Sequence, residues 1–448
     1  MVFPASTPVL AAVQAAPVEI SGADTAWMLI STALVLLMTP ALGYFYGGLV
    51  RSKNMLNTLM MSFASLGVVG VAWAFIGYSL AFAPGSPWIG GLDYVFLRGV
   101  GLEGAPLAPT IPHILYMAYQ ATFCIITAAL ISGAIVERMK FGPYLAFITL
   151  WSIVVYAPIA HWVWGGGWLG TMGALDFAGG TVVHVNAGIA AVVAAIVVGA
   201  RKDYGRKAQV PHNVPLVLLG AGLLWFGWFG FNGGSAVAAT PLAALAFVNT
   251  FLAPAATLTV WMLLDLIRNQ KITAVGAATA IVIGLVAVTP AAGFIGPMSA
   301  LALGAIAAFP SYFMILYRST TRLDDSLDVW AAHGTGGAVG AILTGVFASQ
   351  VWGGKPGPVD GNPGQIGIQA IAILGALVYS GAGTFVLLKV LGAVTSFRKT
   401  ENEEGQGLDV VAHGEEAYAK GEGAVLVHPD VVAPAMAMAG AVPAAASR

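Results

Sequence analysis

Two histidines, His184 in GGTVVHVNAG and His333 in DVWAAHGTGG, lie inside long apolar stretches of the sequence. The other five histidines lie near the ends of such stretches or in the C-terminal tail: His113, His161, His212, His413 and His428. An ionisable side chain within an apolar span is costly unless it faces a cavity or a partner, so it indicates a functional site. Imidazole exchanges protons near neutral pH through either ring nitrogen. The pair could therefore accept and pass a proton inside an apolar passage.

Three other interpretations of the two histidines stay open on the residues alone. Each imidazole could bond a carbonyl between helices, or the two could be the axial ligands of a haem. Haem is disfavoured because the chain offers one candidate pair, and a metal site is disfavoured because neither histidine has a nearby carboxylate or thiolate. Cys124 is the only cysteine, which excludes an intrachain disulfide and a multi-thiolate site. We expect neither a cofactor nor a metal.

The composition identifies the solvent of these histidines as lipid. Of 448 residues, 58% are hydrophobic and 9% are charged, and the mean hydropathy is +0.84, which excludes a soluble globular protein. Lys and Arg number 19 against 20 Asp and Glu, so a nucleic-acid partner is not expected. The sequence has no His-Glu-x-x-His motif, no Gly-x-Ser-x-Gly elbow and no phosphate-binding loop, so an enzyme is not expected either.

Long apolar stretches separated by polar or Gly/Pro-rich segments predict eleven transmembrane helices. They cover residues 24–47, 55–82, 112–136, 141–160, 178–200, 214–230, 237–266, 272–289, 293–317, 329–350 and 366–396. The fold class is therefore an all-α integral membrane protein, with the histidines on the fifth and tenth spans. At 1.5 Å per residue, His184 lies about 12 Å of helix beyond Asp176, and His333 about 8 Å beyond Asp328.

Basic residues predict the orientation in the cell membrane. Alternate loops contain Arg51, Lys53, Arg138, Lys140, Arg201, Lys202, Arg206, Lys207, Arg268, Lys271, Arg318 and Arg322, whereas the other loops contain Arg98 and Lys355. Positive charge marks the cytoplasmic side. An odd number of spans separates the termini, so we expect the N terminus outside and the C terminus in the cytoplasm.

The chain divides into a transmembrane domain and flanking segments. Residues 1–20 are a candidate leader or signal segment, with Ala-Val-Gln-Ala-Ala before Pro17 as a candidate cleavage site. The transmembrane domain covers 24–396. A cytoplasmic regulatory tail covers 397–420 and includes GQGLDVVAHGEEAY, and residues 421–448 are expected to be disordered.

Weak internal similarity predicts two related halves. Phe45-Tyr46-Gly47-Gly48 ends the first span and Phe231-Asn232-Gly233-Gly234 ends the sixth. Because five spans separate them, the second half must be inverted relative to the first, an arrangement by which transporters build a site at the midplane. The predicted architecture is two inverted five-helix repeats plus a final helix.

Several segments together resemble the ammonium transporter (Amt/Mep/Rh) family, and its bacterial Amt branch most closely, from about residue 25 to 418. They are PALGYFYGGLVRSKN, AHWVWGGGWLG, GALDFAGGTVVHVNAG, GWFGFNGGS, VTPAAGFIG and DVWAAHG. The resemblance implies a homotrimer with one pore in each subunit, which transports ammonium or ammonia, and methylammonium as well.

The resemblance also implies roles for individual residues at the outer site. Trp164, Phe123, Tyr119 and Ser235 would bind ammonium there, although Tyr119 stands where phenylalanine is common in the family. Aromatic faces and a hydroxyl suit this cation, because rings attract it by cation–π interaction and oxygen accepts its N–H groups. Without the resemblance, Trp164 would be an aromatic of the membrane interface.

Below the outer site, Phe123 and Phe231 resemble the family's stacked gate rings, and His184 and His333 its hydrogen-bonded pore pair. An apolar constriction excludes water and hydrated ions. A bare cation crosses it at a cost of a few kcal/mol, whereas neutral ammonia crosses more easily. We therefore expect ammonium to be deprotonated, ammonia to cross, and the proton to move separately through the imidazoles.

The remaining assignments concern supporting residues and regulation. Asp176 is expected to cap the fifth helix and support the outer site, with direct contact to the cation as the alternative. Thr289 resembles a pore-lining hydroxyl. Asp324, Asp325 and Asp328 are expected to cap the tenth span or pair with Arg322. The tail segment GLDVVAHGEEAY resembles the family's docking element for a PII-type nitrogen-signalling protein.

Two alternatives to a transporter follow from the same resemblance. Some family members act chiefly as ammonium sensors, usually through an added signalling domain, and the tail here is short. Rhesus-type members act as neutral gas channels. Trp164 and the GLDV tail favour the Amt branch over the gas channel.

Overall fold

A computed structural model describes residues 19–418 of the chain. All but the last two residues of the predicted leader (1–20) therefore lie outside the described residues. The predicted disordered segment (421–448) lies wholly outside them. Within the described part, helices alternate with short loops, and two small β-hairpins lie between the second and third long helices. The chain is an all-α membrane protein, as the sequence predicts.

Eleven helical segments, α1 to α11, correspond one by one to the predicted spans. They are α1 Gly22–Leu49, α2 (Met55–Ala72, Trp73–Gly77, Tyr78–Phe82), α3 His113–Leu130, α4 (Phe141–Trp151, Ser152–Tyr156, Ala157–Val163), α5 (Gly180–Val185, Asn186–Val198), α6 Val214–Gly233, α7 Pro241–Asn269, α8 Ala274–Val288, α9 Pro297–Ser319, α10 (Trp330–Thr335, Gly336–Phe347) and α11 Gly364–Val394. Two tail helices follow, α12 Glu401–Gln406 and α13 Leu408–His413.

Length and composition support most of these segments as membrane spans. In the described chain, nine helices are long and apolar enough to cross a membrane, and α8 is a shorter apolar helix. With α10, which carries His333, they are consistent with the eleven predicted crossings. Middle parts of α2 and α4, and the first parts of α5 and α10, are π-helical. A π segment within an α-helix is often found at a functional site.

The two halves meet along two pairs of equivalent helices. α1 packs along α6, and α5 packs against α10. Glycine makes the second contact possible, because a Cβ at Gly188 would collide with the backbone of Gly334, and one at Gly337 would lie 2.9 Å from the Cβ of His184. Small residues allow such close helix contact in membranes. The two glycines four residues after the histidines therefore let the histidine-bearing helices touch.

The loops form two different ends of the bundle. At one end, here called the outer end, the hairpins β1–β2 (Gly85–Ser86 and Ile89–Gly90) and β3–β4 (Gly104–Ala105 and Ala108–Pro112) cover the helices. At the opposite, inner end, the basic loops and α12–α13 pack together. Arg51 and Arg201 both bind Glu137 there, and Arg398 binds Glu404. The basic residues of alternate loops thus share one end.

Candidate functional site

Each of the two buried histidines lies on a π segment whose first N–H groups are bound by a carboxylate eight residues earlier. Asp176 accepts from the backbone N–H groups of Gly179, Gly180, Thr181 and Val182 at 2.6–3.0 Å. Asp325 accepts from Val329 at 3.1 Å and Trp330 at 2.7 Å. The unpaired N–H groups of a helix start favour such an acceptor. Asp325, and not Asp328, is thus the geometric counterpart of Asp176.

Burial affects the pKa of both capping carboxylates. It raises the pKa of Asp176, while the four backbone N–H groups act in the opposite direction. Burial and the nearby Asp328 charge raise the pKa of Asp325 to about 6. Both side chains lie at the ends of the spans and hold the helices that carry the histidines.

The two imidazoles meet in the centre of the molecule. Nδ1 of His184 lies 3.1 Å from Nδ1 of His333, and the rings are near parallel with centroids 5.2 Å apart. One Nδ1 must donate and the other accept, so the two rings share one proton along this bond. Nε2 of His184 is buried and has no hydrogen-bond partner within the described structure. The pair therefore leaves the buried Nε2 of His184 free to bind a small polar solute.

Trp228 of α6 forms the wall beside His184. Its ring stacks on the imidazole at 5.5 Å and 23°, and its indole N–H donates to Thr289 Oγ1 at 2.8 Å. Thr289 in turn donates to the Leu285 carbonyl. Thr289 therefore supports the pore wall through Trp228. Sequence reasoning missed Trp228, although it lies one helical turn before Phe231 and hence on the same face of α6.

The passage around the histidines is narrow and apolar. Its lining includes Leu42, Val183, Leu224 and Val282 beside the two imidazoles. The cavity volume is about 10 Å³. That volume is about what a single water molecule requires. A lumen of this size admits one small molecule and no hydration shell.

Two stacked phenylalanines separate this lumen from the outer end. The rings of Phe123 and Phe231 lie 4.2 Å apart at 29°, and each residue is 1% exposed. Phe123 also lines the outer cavity, whereas Phe231 lines the lumen. The ring pair therefore closes the passage where the two spaces would join.

The outer cavity has a volume of about 320 Å³ and contains Trp164, Phe123 and Ser235 in its lining. The Trp164 ring meets Phe123 edge to face at 6.1 Å, and its N–H donates to the Asp176 carbonyl at 2.8 Å. Ser235 Oγ donates to the Phe231 carbonyl at 2.8 Å and lies 3.2 Å from the Tyr119 hydroxyl. Tyr119 itself is 1% exposed and contacts this cavity through Ser235.

An inner vestibule of about 410 Å³ reaches His333 from the opposite end, and its walls carry charge. Glu137 accepts from Arg201 at 2.7 Å and from Arg51 at 2.9 Å. Burial opposes ionisation of Glu137, but Arg201 and Arg51 outweigh it and lower its pKa to about 2. Asp324 binds Arg201 at 2.8 Å. The inner vestibule is thus bordered by a network of ion pairs that residue spacing did not predict.

The third carboxylate of the DDSLD segment pairs differently from the prediction. Asp328 binds Arg318 at 2.6 Å, and not Arg322. Arg318 lies in the last turn of α9, so its side chain reaches the residues that precede α10.

The described residues contain no group of three or more His, Cys, Asp or Glu placed to hold a metal ion. The arrangement is therefore a passage in three parts: an aromatic cavity, a closed ring pair with an imidazole-lined lumen, and a charged vestibule.

Comparison with known proteins identifies relatives that span nearly the whole chain. The model of the Ammonium Transporter Family matches residues 26–418. A Bacillus subtilis ammonium transporter is 47% identical over 398 residues, which are 88% of this chain and 98% of that protein. An Aquifex aeolicus ammonium transporter is 48% identical over 406 residues, 90% of this chain and 95% of that protein.

Solved structures share the fold. The crystal structure of Saccharomyces cerevisiae Mep2 superposes with a TM-score of 0.80 at 36% identity, covering 86% of this chain and 89% of Mep2. A structure named as a sensor Amt protein superposes with a TM-score of 0.82 at 30% identity, covering 87% of this chain and 98% of that one.

Proposed function

This chain belongs to the Ammonium Transporter Family and is a multi-pass membrane transporter of ammonium, and from that premise we propose how its passage works. Ammonium binds in the outer cavity, loses a proton, and crosses the phenylalanine pair as ammonia. The proton follows a separate route through His184 and His333. The observation that carries the proposal is the pair of imidazoles joined at 3.1 Å in a lumen that leaves room for a single small molecule.

The outer cavity supports recruitment of the cation. The faces of Trp164 and Phe123 attract ammonium or methylammonium, at about 0.5–2 kcal/mol per ring depending on desolvation. Ser235 Oγ donates its own proton to Phe231, so its lone pairs stay available to accept a substrate N–H. Phe177 and Tyr116 are the other aromatic residues of the lining.

The gate and lumen favour ammonia over ammonium for the next step. Rings stacked at 4.2 Å leave no room for a hydration shell. A cation at the centre of a membrane costs about 2.5–3.5 kcal/mol on insertion scales, and neutral ammonia avoids this cost. The His184 ring lies 6.2 Å from the Phe231 ring, and its unpaired Nε2 binds ammonia or a proton there.

The first test is the current evoked by an ammonium pulse in proteoliposomes containing wild type or His184→Ala/His333→Ala. We expect the wild-type current to vanish or to lose selectivity over potassium in the double variant, because the imidazoles are both filter and proton route. His212→Ala, which removes a histidine at the inner end, is the matched control and should keep the current. A double variant with unchanged current and selectivity would exclude the proposed proton route.

The other outcomes identify the two alternatives. Ammonium uptake without current in wild type indicates a neutral gas channel. Neither uptake nor current in well-folded protein indicates an ammonium sensor, the function named for one of the structural neighbours.

We further propose that the chain is a homotrimer whose tail docks a PII-type signalling protein at the cytoplasmic face. The tail is folded against the inner end: the Asp409 carboxylate accepts from the N–H groups of Leu56 and Asn57 at 3.0 and 2.8 Å, at the start of α2. Lys202 N–H donates to Glu404. A partner that binds the tail would therefore also contact or displace the loops at the inner end of the pore.

Truncation after Lys399 tests the docking proposal. We expect it to abolish capture of a PII-type protein in a detergent pull-down, because the docking segment is removed. Truncation after Lys420 is the matched control and should leave capture intact. Equal capture by both truncated proteins would exclude the tail as the docking site, and a native mass of three chains for each would show that assembly survives.

A further inference from the structure

The His161 ring, three residues before Trp164, makes an unusual pair of hydrogen bonds. Its Nδ1 lies 2.9 Å from the Ala81 carbonyl oxygen and its Nε2 lies 2.8 Å from the Ser86 carbonyl oxygen. A carbonyl oxygen can only accept, and a neutral imidazole has a single N–H. Both bonds form together only when the ring carries two protons. His161 is 2% exposed, and its ring borders, together with Ser86, an outer cavity of about 580 Å³.

The surroundings of His161 favour a positive charge, although no carboxylate contacts the ring. His161 lies in the last turn of α4, and Ala81 lies in the last turn of α2. The carbonyl dipoles at helix C-termini stabilise positive charge. Ionisable side chains on the elements packed around Ala157–Val163, the last part of α4, or on their adjoining loops are Tyr78, Tyr94, Tyr156, His184, Tyr379, Asp93 and Asp176. Within the described chain, the hydrogen bonds of the ring go to the two carbonyls alone.

The two bonds hold the segment from which Trp164 projects. The His161 carbonyl accepts from the N–H groups of Gly165 and Gly167, which closes the turn around Trp164. A Cβ at Gly165 would collide with the Ala81 carbonyl oxygen and would lie 2.7 Å from His161 Nδ1. On the hairpin side, the Trp168 N–H donates to the Pro87 carbonyl at 3.0 Å. The turn is therefore fixed to both α2 and the β1–β2 hairpin.

We propose that His161 is a positioning residue of the outer site, which as an imidazolium joins α2, the β1–β2 hairpin and α4 and so fixes the Trp164 ring for cation binding. Loss of one proton places a ring lone pair against a carbonyl oxygen, so one of the two bonds is replaced by repulsion. The turn then loosens, and affinity for the cation falls. The positioning role rests on the function proposed above for Trp164. The protonation state of His161 is independent of that function.

Solid-state NMR of ¹⁵N-histidine-labelled protein tests the protonation state without any transport assay. The spectrum of wild type minus that of His161→Gln isolates His161, and we expect both of its nitrogens to be protonated at pH 6. His212→Gln is the matched control, because His212 faces one carbonyl at 2.7 Å and the Tyr418 hydroxyl at 3.0 Å. A hydroxyl, unlike a carbonyl, can accept or donate, so this pair of contacts does not require two protons on His212. A neutral His161 at pH 5 would overturn the proposal.

Uptake of labelled methylammonium into proteoliposomes tests the link to the outer site. We expect the wild-type KM to rise about three- to tenfold as the outer pH passes the point where NMR shows His161 losing a proton, with little change in kcat. His161→Gln should have a raised KM that no longer varies with pH. A pH-independent wild-type KM, or an identical pH profile in His161→Gln, would overturn the positioning role. Absence of saturable wild-type uptake would contradict the proposed function instead, while the NMR result would still decide the state of His161.

Discussion

Ser235 shows how a single hydroxyl can contribute to binding at the outer site. Its proton is donated to the Phe231 carbonyl, so its oxygen can serve as an acceptor on the outer cavity. A hydrogen bond to a charged group contributes about 1.5–3 kcal/mol, so Ser235→Ala should raise the KM for methylammonium about ten- to a hundredfold and leave kcat nearly unchanged. Uptake kinetics measure this. Ser319→Ala removes a hydroxyl with similar local bonding at the inner end and should have wild-type KM; an unchanged KM in Ser235→Ala would exclude Ser235 as a ligand.

At the residue scale, the sequence predicts which side chains matter better than it predicts their partners. His184 and His333 stand out because a titratable group in an apolar stretch is costly. The contact of their Nδ1 atoms depends on rotamers and on the crossing of α5 and α10, which no local pattern encodes. Thr289 illustrates the same limit. The resemblance implies a hydroxyl that lines the pore, and in the structure this hydroxyl accepts from the indole N–H of Trp228.

At the element scale, the apolar stretches predict helix positions well and helix geometry poorly. The π segments at Gly180–Val185 and Trp330–Thr335 lie inside the predicted apolar spans, so hydropathy does not distinguish them from the α-helical parts. The equivalence of the halves is clearest at the histidines, whereas the sequence leaves Asp324, Asp325 and Asp328 all open as caps of the tenth span. Asp328 is closer in sequence to His333, yet Asp325 caps the helix because only it reaches the first free N–H groups.

The two caps should be stability determinants of their helices. Asp176→Asn and Asp325→Asn each replace a charged acceptor by an amide that has only one acceptor oxygen, so some of the buried N–H groups lose their partner. We expect each substitution to lower the free energy of unfolding by about 2 kcal/mol or more, and the effect of Asp176→Asn to be larger because it binds four N–H groups. Thermal unfolding in detergent measures the difference. Asp93→Asn, at an exposed position of an outer loop, is the control, and equal stability of all three variants would contradict the capping role.

At the scale of the whole molecule, the inner end combines the basic loops into one buried network. The Arg201 side chain forms ion pairs with Glu137 and Asp324. Arg138 is 0% exposed and donates to the backbone carbonyl of Asp324 at 2.6 Å. The sequence predicts that these loops lie on the same side, because the positive-inside pattern is a property of the whole chain. It does not predict that their charges are paired and buried, since pairing depends on contacts between distant loops.

The same pattern predicts the orientation of the molecule, and the single cysteine makes it testable. Cys124 is fully buried, so an impermeant thiol reagent should not label wild type, which serves as the background control. In right-side-out spheroplasts, Glu103→Cys in the outer β3–β4 region should be labelled, whereas Lys207→Cys in a basic inner loop should be labelled only after permeabilisation. Positive charge on the cytoplasmic side is the physical reason, because membrane insertion retains basic loops there. The reverse labelling pattern would invert the proposed topology: it would place the Trp164 cavity on the cytoplasmic side and the tail outside, where a PII-type protein could not reach it.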